Sequence, residues 1–459
     1  MKRSLAVTTL LAVAGIAAAV AYLAASRQRD YGLALSRGDT ALRDDQTFAA
    51  IEAYSGAIAL RQDSMIAYLR RGQTYQRRGD RGDLERAASD FRTAAALDPS
   101  APRPLEALGD VQYQLQRYDR AAEAYERFLR LDDRSPRVTY RLALARYRQR
   151  DIDGAIAALT DSIRLDERVA DAHYLLGLCL RERKRPNDAA RALERAVALE
   201  PGMVAAREEL ADLYGARDRT AEEIEQLQLL AGLDRDRVSR WVAIALAHAR
   251  AGHWDLAVLT LGGAIERNPN ESDIYRALGQ IWLERPRDDR AYLSKAREAL
   301  ERVALSPDAT SRALTLYARA LQQEGNVDAA EHALQEATTR FPIELQALLL
   351  YATAAERNGH LDAARQALVQ YVALAPAEAE VTTLCARIGT LSLRLKEPQT
   401  AVVWLSRAAG SGSDVRLLAS LADAQIRSGD ADAARATLAR ALDKDPRNPQ
   451  LLALADRAR

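Results

Sequence analysis

The sequence has almost no surplus of either charge: 65 Lys and Arg face 64 Asp and Glu, a formal net charge of +1. Proteins that grip a nucleic-acid duplex carry a clustered basic surplus, so no nucleic acid is expected as a partner. Aromatic residues are scarce, at 5%. Ala, Leu and Arg dominate instead, a mixture that favours helix and leaves little for sheet. Five histidines (His173, His248, His253, His332 and His360) are scattered along the chain. His248 and His253 are five apart, whereas a metal pair on one helical face needs i,i+4. There is no H-E-x-x-H, no C-x-x-C pair, no G-x-x-x-x-G-K-[ST] and no serine nucleophile elbow. Zinc-protease, zinc-ribbon, nucleotide-loop and α/β-hydrolase chemistry are thereby left without their residues. The expectation is a chain that is not an enzyme and uses no metal or cofactor.

Long hydrophobic runs are missing too, with one exception. Leu5 to Ala25 is a stretch of 21 residues without a charge, preceded by Lys2 and Arg3 and closed by Arg27, Arg29 and Asp30. About 20 apolar residues span a bilayer, against about 7–15 in a signal peptide. The length favours a retained membrane anchor over residues 5–25, within an N-terminal segment 1–30. A-x-A patterns at Ala17, Ala19 and Ala21 keep a cleaved signal as the alternative. Lys2 and Arg3 favour a cytoplasmic N-terminus, which places the rest of the chain on the extracytoplasmic (periplasmic) side, although Arg27 and Arg29 flank the other end.

What the remaining chain does have is a period. Tyr118 to Leu131, Ile152 to Leu165 and Pro186 to Leu199 share one pattern. A small residue is followed by a bulky one four later and further core residues at three-residue steps, which is one face of an α-helix. The small anchor falls at Ala87, Ala121, Ala155 and Ala189 with a spacing of 34, and Glu223 and Ala257 keep it. Ala296, Ala330, Ala364, Ala401 and Ala434 continue the series, and Ala50 opens it. These are twelve units over 31–448. A second helix pattern precedes each anchor, with a small residue such as Gly109, Gly177 or Gly279 that lets two helices approach. Gly79, Gly252, Gly325, Gly359 and Gly429 stand where a left-handed helix cap is needed. Pro99, Pro201, Pro269, Pro342, Pro376 and Pro446 close the second helices. About three extra residues near Arg81 to Asp83 and about five around Pro286 to Tyr292 interrupt the spacing, and Glu223 in place of a small anchor predicts looser packing there. Gln450 to Arg459 reads as a capping helix, assigned to 449–459. Cys179 and Cys385 are about six repeats apart, which excludes a disulfide between them; both read as buried thiols.

The pattern resembles the tetratricopeptide repeat family, a 34-residue unit written W-x2-L-G-x2-Y…A-x3-F…P. Trp241 through Ala257 to Pro269, and Leu348 through Ala364 to Pro376, fit it over a resemblance that covers roughly nine-tenths of the chain. It implies an all-α, right-handed α-solenoid of about twelve helical hairpins, here behind one N-terminal hydrophobic helix. It also implies that first helices line a concave groove. On that implied face stand Arg103, Tyr113, Arg137, Tyr140, Arg141, Tyr147, Arg148, Tyr174 and Arg181. Tyr and Arg are the residues most enriched at binding hot spots. Arg134 to Arg150 holds six Arg and no acid, which would suit an acidic peptide. The expected function is a membrane-tethered, non-enzymatic scaffold that gathers protein or peptide partners, in a bacterial envelope assembly or export system. The alternative is a non-catalytic subunit or adaptor of a glycosyltransferase, secretion or protease complex.

Overall fold

The computed structural model describes residues 2–286, 291–375, 381–410 and 414–459, with residues 2–15 and 17 described by backbone alone. Among the described residues there are twenty-five α-helices and no strand. The chain divides into two compact units, Met1–Arg219 and Thr220–Arg459.

In the first unit, α1 (Lys2–Arg43) packs on α2 (Thr47–Leu60), and α3 (Met65–Arg78) on α4 (Arg81–Leu97). Likewise α5 (Pro102–Gln114) packs on α6 (Tyr118–Leu129), α7 (Pro136–Arg148) on α8 (Ile152–Leu165), and α9 (Ala170–Glu182) on α10 (Pro186–Leu199). The unit ends with α11 (Val204–Gly215). The second unit begins with α12 (Thr220–Leu233). Its hairpins are α13 (Val238–Arg250) with α14 (Trp254–Arg267), α15 (Ser272–Glu284) with α16 (Ala291–Ala304), and α17 (Ser311–Glu324) with α18 (Val327–Ala337). There follow α19 (Leu345–Arg357) with α20 (Leu361–Leu374), α21 (Val381–Arg394) with α22 (Pro398–Ala408), and α23 (Val415–Ser428) with α24 (Ala431–Lys444). Finally α25 (Pro449–Arg457) covers α23 and α24, inserting Leu451 and Leu454 into their core. In both units the second helix of each hairpin also packs on the first helix of the next.

The periodic residues explain this stacking. Each of the eleven alanine anchors sits in a second helix with no exposed surface. Four residues on, a bulky side chain fills the space between the hairpin's helices: Tyr54, Phe91, Tyr125, Leu159, Leu193, Leu261 and Leu300 are all fully buried. The facing first helix supplies the room. A Cβ on Gly109 would stand 2.4 Å from Tyr125 Cε1, and one on Gly177 would stand 2.6 Å from Leu193 Cγ. The twelfth anchor, Glu223, is 9% exposed, and its carboxylate accepts two hydrogen bonds from Arg250 Nη2 at 2.6 and 2.7 Å. A guanidinium from α13 thus answers the charge that stands where the other repeats have a methyl group.

The turn glycines Gly79, Gly252, Gly325, Gly359 and Gly429 have φ between 77° and 89°, the left-handed cap their position demands. Six other helix ends turn on non-glycine residues with positive φ: Asp45, Gln116, Arg150, Lys184, Asp218 and Lys396. In each case the next N–H reaches back five residues, as Arg185 N does to Leu180 O at 2.9 Å, which closes the last helical turn. The three extra residues of the second repeat lengthen α4 to 17 residues, against 14 in α8 or α10, so they add helix rather than loop. The insertion expected around Pro286 to Tyr292 falls largely on 287–290, outside the described residues. Pro376 lies outside them as well.

At the N-terminus α1 continues without interruption from Lys2 to Arg43. The side chains of the expected anchor's first part, up to residue 15, and that of residue 17 are outside the described residues. Among the described residues no helix is long and apolar enough to cross a membrane.

Candidate protein-binding face

Four tyrosines of the first helices lie half-buried along one side of the first unit. Tyr113 comes from α5, Tyr140 and Tyr147 from α7, and Tyr174 from α9. All but Tyr147 are joined electrostatically through Tyr140, whose neighbours include Tyr113, Tyr174 and Asp171. Burial pushes the Tyr140 phenol up to about 12, and Asp171 adds to the effect. Its hydroxyl makes no hydrogen bond among the described residues. Tyr147 donates to Glu182 Oε1 at 3.1 Å, and Tyr113 meets Tyr118 edge to face with centroids 5.2 Å apart.

The arginines of this face divide into two kinds. Arg141 is held on three sides: its Nη1 lies 2.6 and 2.7 Å from the Asp110 carboxylate and 3.0 Å from Glu106. Asp110 in turn accepts from Tyr125 Oη at 2.7 Å. The same latch occurs two repeats earlier, where Tyr54 donates to Asp39 and Arg70 pairs with it. Arg141 therefore ties α7 to α5, and Asp110 carries the tie on to Tyr125 of α6. Burial raises the Asp110 carboxyl, while Tyr125 and Arg141 pull it back. Arg137 pairs with Glu106, and Arg181 with Glu209 of α11. Arg103 and Arg148 are exposed, and Arg148 makes only a 3.3 Å bond to Tyr113 Oη.

The run from Arg134 to Arg150 has no acid of its own, yet neighbouring helices supply several. Besides Arg137 and Arg141, Arg146 meets Glu126 at 2.8 Å and Arg150 meets Glu182 at 3.7 Å. Its net field is much weaker than the local sequence suggests. The structure brings Tyr113, Arg141 and Leu144 to a cavity of about 260 Å³ that Gln76, Asp110, Gln114 and Tyr125 complete. Arg103, Arg137, Tyr174 and Arg181 do not line it.

His173 is 8% exposed with Nε2 3.1 Å from the Glu167 carbonyl oxygen. The rings of His248 and His253 are 6.0 Å apart, and burial lowers the His248 imidazole. Among the described residues no group of three metal-ligating side chains converges. Cys179 and Cys385 are free and fully buried.

Models of the tetratricopeptide repeat match residues 76–136, 242–310 and 321–388. The chain carries tetratricopeptide repeats. A model of anaphase-promoting complex, cyclosome, subunit 3 matches residues 114–196, so it covers the repeats that carry most of the tyrosine row. No curated protein matches the chain. Among solved structures, YrrB, described as a tetratricopeptide repeat protein with an unusual peptide-binding site, is 21% identical over 42% of this chain and 97% of its own, with a TM-score of 0.37. PilF of Pseudomonas aeruginosa is 22% identical over 47% of this chain and 96% of its own, with a TM-score of 0.36. The Naa15/Naa10 complex bound to HypK-THB is 13% identical over 93% of this chain and 79% of that one, with a TM-score of 0.37.

Two features escaped the sequence reading. The non-glycine turn residues carry no chemical signature, but all six stand five residues before an anchor, as Gly252 does before Ala257. The acids that neutralise Arg141 lie 31 and 35 residues upstream, about one repeat away.

Proposed function

We propose that the chain is a non-enzymatic scaffold that binds segments of other proteins along α5, α7 and α9. The observation that carries this reading is the row of half-buried tyrosines, with the Tyr140 hydroxyl unbonded and Arg103 and Arg148 exposed beside it. Tyr and Arg give large contact area with directional polar tips, the composition of binding hot spots. Residues 5–25 tether the scaffold to a membrane, with the repeats on the extracytoplasmic side in a bacterial envelope assembly or export system. The 21-residue uncharged stretch after Lys2 and Arg3 supports that placement.

The test is crosslinked capture of partners by the full chain and by Tyr140→Ala and Arg148→Glu variants. Loss of the same partners from both variants, with helix content unchanged, is expected; undiminished capture overturns the site. Arg141→Glu is a poor probe, because it would set a third carboxylate against Glu106 and Asp110. A reporter fused after Arg459 that reads out on the cytoplasmic side would reverse the placement.

A further inference from the structure

A cleft of about 450 Å³ opens on the other side of α5 from the tyrosine row. Leu108 and Gln112 of α5 face it, one helical turn apart, while Asp110 and Tyr113 face the opposite way. Its walls are α4, with Arg92, and α6, with Arg120, Glu123, Ala124 and Arg127. Arg120 and Arg127 are seven apart, two turns of one helix, and so share a face.

Two independent observations set this cleft apart. Nearby arginines are matched to acids: Arg71 to Asp90, Arg78 to Asp83, Arg117 to Glu85 and Arg146 to Glu126. Arg92, Arg120 and Arg127 have no ion pair or side-chain hydrogen bond among the described residues, although all three line one cleft. Against Glu123 they leave a local charge of +2. Second, Gln112 is 1% exposed and its Oε1 is buried without a hydrogen-bond donor. A buried acceptor left unpaired is costly and calls for a partner.

We infer that this cleft binds a phosphate group carrying two negative charges. A dianion balances the local charge. Its oxygens accept from guanidinium forks, the planar donor geometry that suits phosphate best. As a free ion, hydrogenphosphate keeps one hydroxyl, the donor that Gln112 Oε1 lacks; a dianionic phosphomonoester has none and is held by the arginines alone. The site is independent of the tyrosine row, since it uses other faces of α5 and α6 and no residue named there.

The probes are inorganic phosphate and vesicles of phosphatidic acid in phosphatidylcholine, each titrated into the full chain with sodium chloride at matched ionic strength as the reference. Arg120→Gln and Arg127→Gln are expected to weaken binding at least tenfold. Arg195→Gln, an exposed arginine of α10, is expected to leave it unchanged. Gln112→Met keeps the core filled and removes the acceptor; it should weaken binding of inorganic phosphate without lowering the melting temperature of the phosphate-free protein. A response to free phosphate with this variant pattern assigns a soluble phosphate. A response to vesicles alone, weakened by Arg120→Gln and Arg127→Gln but not by Gln112→Met, assigns a lipid headgroup. No response to either probe, or equal losses in Arg195→Gln, overturns the site.

Discussion

Replacing Gly109 with Ala should destabilise the third hairpin, although Ala is the better helix former. Gly109 lies inside α5, where the exchange alone would gain about 1 kcal/mol of helix propensity. The added methyl, however, would stand 2.4, 2.6 and 2.8 Å from Tyr125 Cε1, Cδ1 and Cζ. That ring is 2% exposed and anchored by its hydroxyl to Asp110, which Arg141 also grips. The ring cannot turn aside without breaking the latch, so α5 and α6 must separate. Overpacking of this kind costs about 1–3 kcal/mol, and the net loss is up to about 2 kcal/mol once propensity is subtracted. The next hairpin shows the alternative solution: Ala143 occupies the same position and faces Leu159, both fully buried. Hence Gly109→Ala should cost at least about 1 kcal/mol less in a Tyr125→Leu background, a coupling of the size direct neighbours show. Because repeat arrays open locally, native-state hydrogen exchange at α5 and α6 amides is the suitable assay. Equal cost of Gly109→Ala in both backgrounds, or a gain in stability from the single change, would refute the reasoning.

Lys184→Gly and Arg150→Gly should each stabilise their hairpins by about 1 kcal/mol in urea titrations, because a side chain at φ 56° or 68° is strained where glycine is not. Asp90→Ala should cost about 3 kcal/mol, since it strands the Arg71 guanidinium that Asp90 holds through two 2.8 Å bonds in a largely buried pair. Burial pushes the Cys179 thiol up to about 12 and raises Cys385 as well, so neither should react with a thiol reagent until the protein unfolds. A raised folded-state value means the Cys179 contribution is intact below the unfolded thiol's ordinary 8.5 and is lost as pH climbs from there towards 12. The fall in urea midpoint between pH 9 and 10.5 should be shallower in Cys179→Ala.

The hairpin repeat was legible because packing repeats its demands: a methyl anchor, a bulky residue four later and a small residue opposite. Glycine turns were legible for the same reason, since φ near 80° leaves a residue with few alternatives. Gln116, Lys184 and Lys396 adopt the same geometry without advertising it, their strain being offset by the surrounding packing. At the candidate face the residue types were legible and their charge state was not. Arg141 looks free in its own helix because Glu106 and Asp110 sit a repeat away, and only stacking brings them to it. The cleft around Gln112 was invisible for a related reason: its arginines are ordinary surface residues until two second helices align them.

The unbroken helix α1 carries a mechanical consequence. Forty-two helical residues make a rod about 63 Å long at 1.5 Å per residue, and its last turns are already half of the first hairpin. Whatever grips the rod's upstream part therefore sets the heading of that hairpin directly, with no swivel between. Inserting one alanine between Arg27 and Asp30 would advance the hairpin by about 1.5 Å and spin it by about 100° about the rod. Seven inserted residues, close to two full turns, would restore the heading while lengthening the rod by about 10 Å. An activity that follows this angular phase rather than the added length would show that the scaffold works by facing its partners in a set direction.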